Sequence, residues 1–180
     1  FGAAGVGDIC LFMGGGLFPG TNSSVIDFVQ MSTQGNTIDF GDTSGVRRSG
    51  ASLGSSTRGV FGGGYTPTSS NVMDYVAFST KGNAADFGNL TSARYGLTAL
   101  ANDTRGVYEG NGSPKDIIDY ITIASVGTAT DFGYLSSARQ ALGAGASSTR
   151  GDFGGGIAVA ATVHNVRVYM TISYIDNSKE

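Results

Sequence analysis

The sequence predicts an all-β fold assembled from one short unit repeated along the chain. Three observations carry the prediction. Gly makes up 30 of the 180 residues, and each Gly in a helix interior costs about 1 kcal/mol relative to Ala. The apolar stretches are short, rich in aromatic and β-branched residues, and bounded by turn residues, which is the pattern of strands. Finally, the same words return at a fixed interval. Thr57-Arg58-Gly59 recurs as Thr104-Arg105-Gly106 and Thr149-Arg150-Gly151, and Asp39-Phe40-Gly41 recurs as Asp86-Phe87-Gly88 and Asp131-Phe132-Gly133, in both cases 47 and then 45 residues apart.

Two further markers share the period. Ile26-Asp27-Phe28-Val29 returns as Met73-Asp74-Tyr75-Val76 and Ile118-Asp119-Tyr120-Ile121. A Gly cluster stands at Gly14-Gly15-Gly16, Gly62-Gly63-Gly64 and Gly154-Gly155-Gly156, and decays to Glu109-Gly110-Asn111-Gly112 in the third unit. A period near 45 residues belongs to a propeller blade or a helical pair, and the glycine content decides against the helices. Within one unit we read a first strand from Arg94 to Ala101, a second from Gly106 to Gly110, a third from Ile117 to Ala124 and a short fourth around Ala129 to Phe132. Four strands in a unit of this length make the blade of a β-propeller.

The expected architecture is therefore a single repeat domain, 1–180, of about four blades with up to four antiparallel strands each. The units fall at about 1–44, 45–91, 92–136 and 137–180. Counting from Phe1 gives four first, four second, four third and three fourth strands, and the tail Tyr174–Glu180 has no Asp-Phe-Gly. Either that tail supplies the last outer strand of a four-bladed ring, or the ring is completed elsewhere. The first strand of a blade lies where strands converge, so small residues belong there, as in Gly2-Ala3-Ala4-Gly5, Gly50-Ala51-Ser52 and Gly143-Ala144-Gly145. Phe61, Phe87 and Tyr75 read as apolar wedges between sheets. The chain opens on Phe1-Gly2-Ala3-Ala4 without an initiator Met, which reads as a processed product or a segment of a longer chain.

Composition excludes more functions than it suggests. A net charge of −3 and a pI near 5.0 argue against a nucleic-acid-binding face. No apolar run approaches the roughly 20 residues that span a bilayer, so no membrane partner is expected. One Cys cannot form an internal disulfide or a zinc cluster, and one His restricts acid–base and metal chemistry. No Asp-x-Asp-x-Asp-Gly loop offers calcium a cage. No cofactor, metal or catalytic constellation is expected, and the chain reads as non-enzymatic.

At these residues the sequence resembles the kelch repeat, whose blade starts with Arg-x-Gly, ends its second strand in Gly-Gly, carries a Tyr on the third and an aromatic on the fourth. The corresponding parts are Arg94-Tyr95-Gly96, Gly62-Gly63-Gly64, Asp74-Tyr75 and Asp86-Phe87-Gly88, with Phe40, Phe87 and Phe132 standing where kelch has Trp. The wording Thr-Arg-Gly-Val-Phe-Gly-Gly-Gly, Ile-Asp-Tyr and Asp-Phe-Gly-x-Leu is similar to repeats in virion structural proteins of marine cyanophages and related tailed phages. That resemblance runs to about Gly156. It implies a bacteriophage virion protein, a tail-fibre-type appendage or structural component, in contact with other virion proteins or with copies of itself.

Candidate sites divide into repeated and unrepeated residues. Arg48, Arg94 and Arg139 are read as opening the innermost strands, with Asp39, Asp86 and Asp131 lying 9, 8 and 8 residues earlier. Because they recur in successive units, these groups are expected to hold blades together rather than to bind a ligand. Asp27, Asp74 and Asp119 read the same way. The loops between second and third strands vary most, and variable loops on a rigid scaffold carry binding. They place Phe18, Tyr65, Pro67, Lys115, Val163 and His164 on one face. Tyr65, Tyr95 and Tyr134 are candidate platforms for a host-surface glycan. Arg150-Gly151-Asp152 spells an adhesive tripeptide but arises by a Val-to-Asp change inside a strand. Glu109 and Asp152 are unrepeated acids with no partner evident from sequence, and Cys10 reads as a packed thiol aligned with Arg58.

Overall fold

The computed structural model describes residues 2–17, 20–110, 116–158 and 167–172. Among them every regular element is a strand, and all pairings are antiparallel. The first sheet is a meander of β1 (Gly2–Val6), β2 (Ile9–Leu17), β3 (Thr21–Gln30) and β4 (Ile38–Asp42). The second contains β5 (Ala51–Gly54), β6 (Arg58–Gly62), the short β7 (Tyr65–Thr66), β8 (Thr68–Ala77) and β9 (Ala85–Arg94). The third repeats the meander with β10 (Thr98–Ala101), β11 (Arg105–Glu109), β12 (Ile117–Thr122) and β13 (Thr130–Tyr134). In the fourth unit β14 (Arg139–Gln140) pairs with β17 (Ile157–Ala158), while β15 (Gly143–Ala146), β16 (Arg150–Gly154) and β18 (Arg167–Thr171) form a three-stranded sheet.

The sheets pack in chain order, and the core is correspondingly divided into three apolar clusters. One joins Leu11, Met13 and Ile26 of the first sheet to Phe61, Val76 and Phe78 of the second. The next joins Leu53, Val60 and Met73 to Tyr108, Ile121 and Ile123. The last joins Leu100, Val107 and Ile118 to Phe153, Val168 and Met170. The close fit depends on small residues on the facing strand. A Cβ on Gly106 would lie 2.4 Å from Leu53, and one on Gly151 would lie 2.6 Å from Leu100. The expected wedges are buried: Phe61 is fully covered, and Phe87 packs edge-on to Tyr75 with ring centroids 5.9 Å apart. No closed ring is found among the described residues.

Asp-Phe-Gly is a latch between sheets. The Phe is buried at Phe40, Phe87 and Phe132, while the Asp caps the Gly amide, with Gly88 N donating to Asp86 at 3.0 Å and Gly133 N to Asp131 at 2.9 Å. The bulge lies in this strand itself, since Gly88 and Asp86 face the consecutive residues Met73 and Asp74, and Gly133 and Asp131 face Ile118 and Asp119. The hairpin turn of the next sheet then pairs with the exposed edge: Gly127 N donates to the Phe87 carbonyl at 2.6 Å and Ala129 N to that of Asn89 at 2.8 Å. Gly82 and Ala84 donate in the same way to Phe40 and Asp42.

The strand boundaries differ from the sequence reading in one instructive respect. Arg94 does not open an innermost strand. It ends β9, and the first strand of the third sheet starts only at Thr98. The register of the first unit also shifts. Ile9 lies opposite Gln30 as Arg58 lies opposite Ala77, so Cys10 corresponds to Gly59 rather than to Arg58. The β1–β2 turn is shorter than its counterparts, which displaces the alignment by one residue. Cys10 is half-buried and free.

Candidate functional site

Connectors between sheets carry the strongest electrostatics. From β4 the chain passes through Arg47, whose Nη1 donates to the Val72 carbonyl at 2.7 Å and whose Nη2 pairs with Asp74. Its guanidinium also lies over the Phe61 ring, 5.0 Å from the centroid. One repeat later Arg94 donates to the Ile117 carbonyl at 2.7 Å and to Asp119 at 2.5 Å. Asp119 further accepts from the Thr91 amide and hydroxyl, and Asp74 accepts from the Ser44 amide. All four charged residues are buried. Burial pulls both guanidinium groups below their ordinary pKa, and the facing carboxylates oppose that shift.

The buried position of the first connector belongs to Arg47 rather than to Arg48. The signal was in the spacing: Arg47 stands eight residues after Asp39, matching the eight of the other two units, whereas Arg48 stands nine after it. Arg48 turns the other way and lies over the Tyr65 ring, 5.2 Å from its centroid. Asp39, Asp86 and Asp131 do not pair with these arginines. Asp86 and Asp131 cap their own bulges, and Asp39 holds the matching exposed place in β4. The partners are Asp74 and Asp119 on the third strands.

The fourth unit departs from the pattern. Phe153 pairs with Val168 where Phe61 pairs with Asp74 and Tyr108 with Asp119, so Val168 holds the third-strand position of those carboxylates. Arg139 is nevertheless buried, and its Nη1 donates to the Gly155 carbonyl at 3.3 Å. The acidic residue near it is Glu109 of the third sheet, also buried, at a place held by Gly62 and Gly154 in the neighbouring units. Burial pushes the Glu109 carboxyl up to about 8, against the pull of Arg139 and Arg94. The sequence marked Glu109 as an unrepeated acid but could not bring it near Arg139 and Arg94, because that approach crosses from one unit to the next.

On the loop face Tyr65 and Tyr95 meet edge to face, centroids 5.2 Å apart. Tyr65 is held by paired backbone bonds with Arg48, and its carbonyl also accepts from the Asn22 side chain. Pro67 follows, exposed. Tyr134 stands elsewhere, exposed, with its hydroxyl on Asp131 at 3.2 Å and its pKa raised by that carboxylate. Phe18, Lys115, Val163 and His164 lie outside the described residues. Asp152 sits in β16, bound to Arg167 at 2.5 Å, so the adhesive-looking tripeptide lies in a paired strand and not in a loop. Among the described residues no cluster of three or more His, Cys, Asp and Glu side chains could hold a metal ion.

Comparison with models of known protein families finds no match. Comparison with curated proteins finds none either.

Proposed function

We propose that this chain is a kelch-like β-propeller scaffold, its four sheets serving as successive blades, that acts without catalysis as a structural or appendage protein of a phage virion. The supporting observation is where the repeated charges go. Arg47, Arg94, Asp74 and Asp119 are spent between sheets, fastening each connector to the blade that follows. A sequence that commits its recurrent ionic groups to internal joints specifies a rigid frame, and binding then falls to the unequal loops and terminal faces. Other virion proteins and further copies of the chain are the partners of such a frame. Mass analysis of purified particles of the phage encoding this chain tests the reading. The chain is expected among the particle proteins, and its absence overturns the proposal.

One observation favours a second reading, attachment to a host-surface glycan. Arg48, Tyr65 and Tyr95 form a half-exposed cluster of two rings and one guanidinium on the loop face. Ring faces stack on sugars and a guanidinium donates in a fork to vicinal oxygens. A glycan array probed with the purified chain tests this reading, and no binder above background counts against it.

A further inference from the structure

We propose that the open face of the first sheet receives the fourth sheet of a second copy of this chain, head to tail, with Arg167 of that second copy entering a nest at Phe12 and Asp27. The proposal rests on the reading of the sheets as successive blades.

The nest is recognisable because the next two sheets show it filled. In the second sheet Phe61, the Val72 carbonyl and Asp74 enclose the Arg47 guanidinium. In the third, the Ile117 carbonyl and Asp119 enclose that of Arg94. Strand register makes Phe12, Val25 and Asp27 the first-sheet counterparts, since Phe12 pairs with Asp27 as Phe61 pairs with Asp74. These three residues, with Gly14, Gly15 and Gly16, line an open cleft of about 430 Å³. The surface that grips a guanidinium in two sheets is thus repeated in a third, where it lines that cleft.

The far end of the molecule offers the complement. Arg167 takes the register position of Met73 and Ile118, which are buried against the following sheet. Here it is 71% exposed, beside an outward cleft of about 500 Å³ lined by Arg150, Asp152, Arg167 and Tyr169. At the interior joints Arg58 donates to the carbonyls of Ile123 and Ala124, and Arg105 to that of Ile172, each time reaching the following sheet. Arg150 is their counterpart in the fourth sheet. The first-sheet counterpart of Ile123 and Ile172 is Met31, which is 58% exposed while the other two are fully buried. A second copy laid head to tail brings Arg150 to the Met31 carbonyl and Arg167 to Asp27.

Side-chain size agrees. Interior joints set Leu53 against Gly106 and Leu100 against Gly151. At the two ends the matching positions are Gly145 and Cys10, so the small residue moves to the fourth sheet and the larger one to the first. A Cβ at Gly145 meets nothing within 4 Å, which leaves room for Cys10. Such a contact is heterologous, so copies propagate or close into a ring.

The test uses Gly145→Cys in the full chain, where Cys10 is the sole native thiol. Under mild oxidation the variant is expected to form disulfides between copies, giving species at twice 18.3 kDa and above. A disulfide within one chain shows the ends closing on each other, and no disulfide shows them apart; either overturns the proposal. Sedimentation adds a second measurement without oxidation. The wild-type chain is expected to associate with rising concentration, Asp27→Arg and Arg167→Asp each to abolish association, and the two together to restore it. A monomeric wild type, or association untouched by both reversals, overturns the proposal. Leu53→Cys with Gly106→Cys, in a Cys10→Ser background, isolates the underlying reading. It is expected to give an intrachain disulfide, and its failure indicts the blade assignment itself rather than the docking.

Discussion

Arg94 is fastened to two sheets at once, and its bond to Asp119 is the half that crosses. Its guanidinium donates to Asp119 in the third sheet at 2.5 Å, while its carbonyl accepts from Gly64 N of the second at 2.7 Å. Arg47 repeats the arrangement, its carbonyl held by Gly15 at 2.8 Å and its side chain by Asp74. Each connector is therefore clamped by backbone on one side and by charge on the other. Removing one partner of a buried pair strands the other without water, a loss of about 3–5 kcal/mol. Asp119→Ala is expected to destabilise the chain by that amount in urea unfolding. Replacing both groups by apolar residues, Arg94→Met with Asp119→Leu, is expected to return stability to within about 2 kcal/mol of wild type.

Glu109 gives stability a pH dependence of definite sign. Its folded pKa of about 8 stands above the ordinary 4.5, so between those values the native chain holds a proton that the unfolded chain has released. Its contribution is complete below pH 4.5 and is lost as pH rises through 8, with a steepest slope of about 1.4 kcal/mol per pH unit. Glu109→Gln keeps the neutral shape and removes the titration. Chemical unfolding at acid, neutral and alkaline pH is expected to show the variant gaining on wild type across that interval and levelling off above it.

Two residues after each buried arginine the backbone turns left-handed. The position is Ser49 with φ 58°, Gly96 with φ 67° and Ala141 with φ 56°. Only Gly adopts this region without strain. Ala141→Gly is expected to raise stability by about 1 kcal/mol in thermal or urea melts, despite the added freedom of the unfolded chain. The opposite change at the latch is expected to be costly. Gly88 has φ 133°, and a Cβ there would lie 2.3 Å from the Gly127 carbonyl. Gly88→Ala is expected to lose about 2–4 kcal/mol, against little change for Gly45→Ala, where a Cβ meets nothing within 4 Å.

Binding at the loop-face cluster has its own signature. Should a glycan be captured there, Tyr95→Ala is expected to weaken it at least about tenfold, the scale of one stacked ring, with unfolding little changed. Isothermal titration with an array-selected glycan reads this directly.

Much of the fold could be read from the sequence because its determinants are local and periodic. Short apolar stretches between turn residues marked the strands, and Asp-Phe-Gly marked the period without revealing the bulge that it forms. The inner-strand boundary was misplaced because Arg94 resembles a strand opener in a kelch pattern, yet its long-range bond to Asp119 holds it at the end of β9. Arg48 was preferred over Arg47 since adjacent identical residues differ only in which side of an extended chain they occupy. The Glu109–Arg139 relation was illegible because nothing local ties a side chain on one sheet to a connector two strands beyond it. At the loop face, variability pointed to Tyr65, while its contact with Tyr95 depended on how consecutive sheets stack.

The placement of the ion pairs also says where this sequence can be cut. Arg47 and Asp74 are 27 residues apart, and Arg94 and Asp119 are 25 apart. A segment beginning just before either arginine and running one period carries both members of its pair. A segment cut at the first strand of a sheet leaves the arginine behind and imports an unanswered carboxylate. The segment that can be excised to stand alone without leaving an unpaired buried charge is therefore out of phase with the visible sheet, starting in the connector that precedes it.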